Sequence, residues 1–156
     1  MKQRTLIIVW AFCLFQANAQ AQQKQLMEET VIRKQIESGY LNGALNDLNT
    51  AAMRNVYHTD FAIFFEENGE LKKLPLSNWI SLIENYKKSN DTSGLRKFTY
   101  EFVQIDVTGN AAFVKLKLMR NDVLIFTDLL TLLKFGDDWK IVTKIYCSHV
   151  QNPWSI

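Results

Sequence analysis

The stretch from Lys97 to His149 constrains the fold more than any other part of the chain. It reads as four strands joined by tight turns at Gly109-Asn110, Asn121-Asp122 and Gly136-Asp137. Ala112, Val114, Leu116 and Leu118 alternate with Phe113, Lys115, Lys117 and Met119, which is the two-residue period of a strand. Val123 to Phe135 is apolar on both sides apart from Thr127, Asp128, Thr131 and Lys134, so it needs cover on both faces. Phe98, Tyr100 and Phe102 share one face, and Ile105 and Val107 resume the row out of phase. That shift predicts a bulge near Val103 and a bend in the sheet. Strict alternation in the last strand puts Trp139, Ile141, Thr143, Ile145, Cys147 and His149 on one face. Lys140, Val142, Lys144, Tyr146 and Ser148 then share the other.

Helical periods precede the sheet. A first helix is expected from Gln23 to Ser38, with Met27 and Val31 one turn apart, Ile32, Ile36 and Tyr40 likewise, and Gly39 ending it. A shorter helix follows Gly43, with Leu45, Leu48 and Ala52 on one side, so that Tyr40-Leu41-Asn42-Gly43 joins a bent pair. Phe61 to Phe65 reads as a short strand against which Glu70 to Leu74 pairs back. Pro75 and Ser77 open a third helix, Ser77 as its cap, with Trp79, Leu82, Ile83 and Tyr86 on one stripe. Three helices followed by a strongly curved antiparallel sheet predict an α+β cone.

The chain begins with Lys2 and Arg4, an uncharged apolar run from Leu6 to Phe15, and small residues at Ala17-Asn18-Ala19 and Ala19-Gln20-Ala21. This is the pattern of a secretory signal over residues 1–21, leaving one domain over 22–156. The apolar run is about ten residues, half of the roughly 20 that a membrane span needs, so no stable membrane anchor is expected. The expected location is the periplasm or the exterior. Cleavage removes Lys2 and Arg4, which balances the 18 basic residues of the chain against its 16 acidic ones. A neutral surface excludes nucleic acid as a partner. Cys147 alone outlasts cleavage, so it forms no internal disulfide. It is read as a small apolar residue in a strand, or as a bridge across a dimer. Asn90-Asp91-Thr92 matches a glycosylation sequon by chance.

With Tyr40-Leu41-Asn42-Gly43, Tyr57-His58-Thr59-Asp60 and the strands between Val107 and Val142 in this order and spacing, the chain resembles the nuclear transport factor 2-like superfamily, and within it the exported bacterial proteins of the putative lumazine-binding family. Tyr40-Leu41-Asn42-Gly43 with Asn46-Asp47 looks like that family's helix junction. Tyr57-His58-Thr59-Asp60 looks like its aromatic-histidine-x-aspartate segment before the first strand. Val107 to Ala112, Phe126 to Leu130 and Trp139 to Val142 look like its sheet. The resemblance implies a cone with a pocket at its open end, a dimer, and a lumazine-like heterocycle as a candidate ligand. The superfamily also hosts isomerases, dehydratases and cyclases, so the fold alone does not assign an activity.

Two residues are candidates for acid–base chemistry. Asp128 lies mid-strand between Phe126 and Leu130 on an apolar row, and the competing reading is a structural carboxylate paired with Lys144 or Lys115. His58, two residues from Asp60, is placed on a loop at the pocket rim as a donor or base, against a His that bonds a nearby carbonyl. Tyr40, Trp79, Tyr86, Tyr100 and Phe102 fall on inward positions and are candidates to stack on a flat ligand, together with His58 and Asp128 as polar contacts. No metal-ligand spacing and no cofactor motif is present. The favoured reading is an exported, non-catalytic protein that binds a small hydrophobic or heterocyclic ligand and dimerises through the outer face of its sheet. The alternatives are a small isomerase, dehydratase or cyclase, and a structural dimer whose pocket is filled by its own aromatics.

Overall fold

The computed structural model describes residues 2–89, 93–151 and 153, with side chains from residue 19 onward. The chain runs α1 (Lys2–Gln35), a π-helical segment (Ile36–Asn46), α2 (Thr50–Val56), β1 (Tyr57–Glu67), β2 (Glu70–Pro75), α3 (Leu76–Ser89), β3 (Thr99–Thr108), β4 (Ala111–Arg120), β5 (Val123–Phe135) and β6 (Asp138–Ser148). The strands form one curved, open sheet in the order β2-β1-β6-β5-β4-β3. The expected α+β cone is therefore present. Neighbouring strands are antiparallel except β1 and β6, which run parallel and make the sheet mixed. A parallel neighbour needs a long crossover. The chain through β2, α3 and β3 to β5 supplies it. Asn90-Asp91-Thr92 lies outside the described residues.

The first helix differs from its expected bounds. It starts at Lys2 rather than Gln23, and beyond Gln35 it widens into a π-helix instead of stopping at Gly39. The wide turn closes where the Asp47 N–H donates to the Asn42 carbonyl at 2.7 Å. Gly39 has a different task from the one its position suggested. A Cβ there would come within 2.0 Å of Cγ2 of Val56, so the missing side chain lets α2 lie against the π-helix. Asn49, not Gly43, opens the next helix, its side chain accepting from the Ala52 N–H at 3.2 Å. Ser77 does not cap α3 but sits inside its first turn, where its hydroxyl meets the Asn78 side chain at 3.3 Å. Asn46 ends the π-helix by imitating a strand partner. Its amide exchanges two hydrogen bonds with the backbone of Phe98, at 2.9 and 3.1 Å, and fixes the entry to β3.

The parallel pair β1–β6 slips between Tyr57 and Ala62, and three antiparallel pairs also shift register. The slip between Phe102 and Gln104 is the bulge expected at Val103. A second falls where Leu118 faces Phe126 but Met119 faces Leu124, with Ile125 as the extra residue. In the third, Thr131 faces Thr143 while Leu132 faces Ile141, so Val142 is the extra residue on β6. This third bulge overturns the alternation expected for β6. Up to Ile141 the faces run as expected. Beyond Val142 they exchange, so Lys144 turns into the core while Ile145 and Cys147 turn out and are exposed. Cys147 is thus not the buried apolar residue it was expected to be.

A single core lies between the helices and the sheet, with Ile32, Ile36, Leu116, Leu130, Trp139 and Ile141 all fully buried or nearly so. Burial of each such side chain contributes about 1.5–3 kcal/mol. Trp139 also needs a partner for its indole N–H. It donates to Glu28 on α1 at 2.7 Å, and Lys134 Nζ reaches the other oxygen of the same carboxylate at 2.5 Å. These two bonds hold the Glu28 carboxyl below the usual glutamate range and pin α1 to β5 and β6. Among the described residues no helix is long and apolar enough to cross a membrane.

Candidate functional site

A cavity of about 200 Å³ opens between α3, the π-helix and the inner face of β1, β5 and β6. The π-helix contributes Tyr40, and α3 contributes Trp79 and Tyr86 on its buried stripe. From the sheet come Phe65, Phe126, Tyr146 and Lys144. Tyr40 and Trp79 meet edge to face, with centroids 5.9 Å apart. Arg96 also lines the cavity, its guanidinium over the Tyr86 ring.

A polar triad lies at the base of this aromatic chamber. Asp128 is wholly buried on β5, and Lys144 Nζ approaches its Oδ2 at 3.0 Å from β6. The Tyr40 hydroxyl donates to the same Oδ2, and Lys144 donates to the Tyr40 oxygen. Strand register explains the meeting. Lys144 pairs with Leu130, one inward position from Asp128, and Tyr146 pairs with Asp128 itself. The Val142 bulge accounts for the triad, because the same residues in unbroken alternation from Ile141 would face Lys144 outward.

Burial dominates the electrostatics. It pushes the Tyr40 and Tyr57 hydroxyls well above the ordinary tyrosine value, and the Asp128 charge adds to the shift. Partial burial raises Tyr146, and the same charge adds to the shift. Loss of water lowers Lys144, although the neighbouring Asp128 carboxylate opposes the shift. Two polar atoms beneath the cavity, Asp128 Oδ1 and the Tyr57 hydroxyl, are buried without a hydrogen-bond partner among the described residues.

The expected site residues divide into two groups. Tyr40, Trp79 and Tyr86 line the cavity, and Asp128 lies directly beneath it. Asp128 takes the structural pairing with Lys144, not with Lys115. Tyr100 and Phe102 lie elsewhere. They sit on β3, the edge strand farthest from β1, where their rings meet edge to face and Arg33 of α1 stacks 4.2 Å above Phe102. Burial and Glu37 raise the Tyr100 hydroxyl there. His58 is in β1 rather than in a loop, and it does not line the cavity. Its ring stacks on Phe135 at 4.9 Å, Nδ1 accepts the Asp60 N–H at 3.2 Å, and the Asp60 carboxylate is 3.7 Å away. Lys144, Phe65, Phe126, Arg96 and Tyr146 complete the site without having been singled out as ligand contacts. In the sequence Lys144 stands out only as one of two lysines able to pair with Asp128, on a strand that also carries Asp138, Lys140 and Thr143. Among the described residues no three His, Cys, Asp or Glu side chains gather as a metal site.

Solved structures share the architecture. A nuclear transport factor 2-like protein of unknown function from Shewanella baltica superimposes with a TM-score of 0.64 at 22% identity, covering 81% of this chain and 97% of the other. A second, from Silicibacter pomeroyi, gives 0.59 at 18% identity over 77% and 94%. A third, from Methylobacillus flagellatus, gives 0.55 at 21% over 75% and 89%. At these identities the likeness concerns the fold. No curated protein matches the chain. The family model described as putative lumazine-binding matches residues 27–147, which span the π-helix, the cavity and every strand, and the chain belongs to that family.

Proposed function

We propose that this is an exported, non-catalytic protein of the cell envelope that binds a small planar molecule in the aromatic cavity. The observation that carries this reading is a chamber walled by rings above a carboxylate that is already paired. A group that works as an acid or base must reach the reacting atom. Asp128 is instead engaged by both Lys144 and Tyr40, and neither Asp128 nor His58 is among the residues lining the cavity. The isomerase, dehydratase or cyclase reading therefore has less support. The size of the cavity speaks against a chamber filled by its own aromatics. The family name adds a lumazine-like heterocycle as one candidate for the ligand.

The proposal includes a homodimer through the outer sheet face. Leu133 and Ile145 are exposed on that face, and Ile145 is turned outward by the Val142 bulge. Exposed apolar side chains on one sheet face give a second copy of the chain surface to cover. Native mass spectrometry on the protein expressed as its full precursor and purified from the periplasm tests all three parts. A processed dimer that carries a small molecule is the expected result. A dimer that is empty and takes up no planar heterocycle from a panel overturns the binding reading.

A further inference from the structure

We infer that Lys144 is the polar anchor of the cavity and that it selects planar aromatic ligands bearing an anionic oxygen. The inference rests on the binding reading above and goes on to name the ligand's chemistry. An ammonium group has three N–H bonds to place. One goes to the Tyr40 oxygen and one to Asp128 Oδ2. Among the described residues no third oxygen or nitrogen accepts from it; the rings of Tyr40 and Tyr146 lie 4.5 and 5.4 Å from Nζ, and Lys144 lines the cavity. Tyr40 and Asp128 thus hold the amine in place while one hydrogen remains for an acceptor on the ligand.

The charge of the acceptor follows from the wall. Two of the lining residues are cationic, Lys144 and Arg96, and none is acidic. Asp128 is sealed beneath the floor, fully buried. An anionic oxygen inside would therefore meet positive charge in surroundings that screen it poorly. The alternative, a neutral apolar guest such as a sterol, would displace water from Lys144 and leave its third N–H only the ring faces of Tyr40 and Tyr146, a weaker match than an oxygen acceptor.

Size narrows the class further. A cavity of about 150 Å³ lined by aliphatic side chains takes up a benzene ring. The chamber here, at about 200 Å³, suits one or two fused rings with a small substituent. The ligand class is accordingly a mono- or bicyclic aromatic carboxylate, or a heterocycle acidic enough to carry an oxyanion.

The test is isothermal titration of the mature protein with three probes of one shape: 2-naphthoate, 2-naphthamide and naphthalene. The expected order is naphthoate tightest and naphthalene weakest, with at least about a tenfold gap between them, the value of a charge-assisted hydrogen bond. Lys144→Met alone would strand the Asp128 charge and endanger folding. The informative variant is Asp128→Asn combined with Lys144→Met, which removes both charges together. In it naphthalene should bind at least as tightly as before, and the preference for naphthoate should vanish. If naphthalene and naphthoate bind equally to the unaltered protein, or the double variant keeps its preference for naphthoate, the anchor is overturned while the binding site stands. If no probe binds, both readings fall.

Discussion

At the scale of single residues the most consequential group is Asp128. Removing one member of a buried ion pair leaves the other charge without compensation, a loss of about 3–5 kcal/mol. Asp128→Asn should therefore lower stability by about 3 kcal/mol in urea unfolding. The double change with Lys144→Met should recover most of that, because both charges then leave together. The buried phenols give a second expectation. Tyr40 and Tyr57 are raised in the fold, first by burial and then by Asp128. A group raised on folding stabilises fully below its unfolded value and ceases to do so as the pH climbs past it. Stability should thus fall once the pH exceeds about 10, where unfolded tyrosines ionise. Lys144, lowered by burial, acts in the opposite sense but is one group against two. In a phenolate absorbance titration, Tyr40 and Tyr57, out of five tyrosines, should ionise only together with unfolding. Asp128 was conspicuous in the sequence as a carboxylate in an apolar row. Its partner was harder to see, because a lysine on a neighbouring strand looks the same whether it points in or out.

At the scale of elements, periodicity located what was periodic. The stripe of Trp79 and Ile83 on α3 and the alternation of Ala112 to Leu118 on β4 both stand in the fold as the spacing implied. Irregular backbone was legible only where an apolar row visibly broke phase. That happened at Val103, flanked by rows of aromatics and aliphatics. It did not happen at Val142, because Thr143 and Ile145 fit either face about equally well. The π-helix escaped notice for a related reason: two glycines suggest an ending, and here Gly39 serves a close approach between helices instead. Gly39→Ala should force Val56 aside and cost about 1–3 kcal/mol, the usual penalty for overpacking. Adding Val56→Ala should return part of it. Thermal unfolding of the two variants side by side checks the coupling. A loss that Val56→Ala leaves unchanged would trace the cost to the helix itself.

At the scale of the whole molecule, the two faces of the sheet divide the work between cavity and proposed association. The apolar outer face was expected from the composition of β5, yet which β6 residues reach it depended on the bulge. Ile145→Lys should convert the proposed dimer to a monomer in sedimentation while leaving circular dichroism unchanged, since Ile145 lies outside the core. A dimer that survives the substitution would place the contact elsewhere. The Val142 bulge links both faces. Loss of that one residue would rejoin β6 to β5 in unbroken register and leave Lys144 opposite Leu130 and Ile145 opposite Leu129, each on the face it already occupies. The bulge is thus a spare residue, which a three-base deletion in the gene would remove with the basic, ring-lined receptor and the outward Ile145 both kept in place. At this point of the strand a relative of this chain could be one residue shorter and still present the same polar anchor to its cavity.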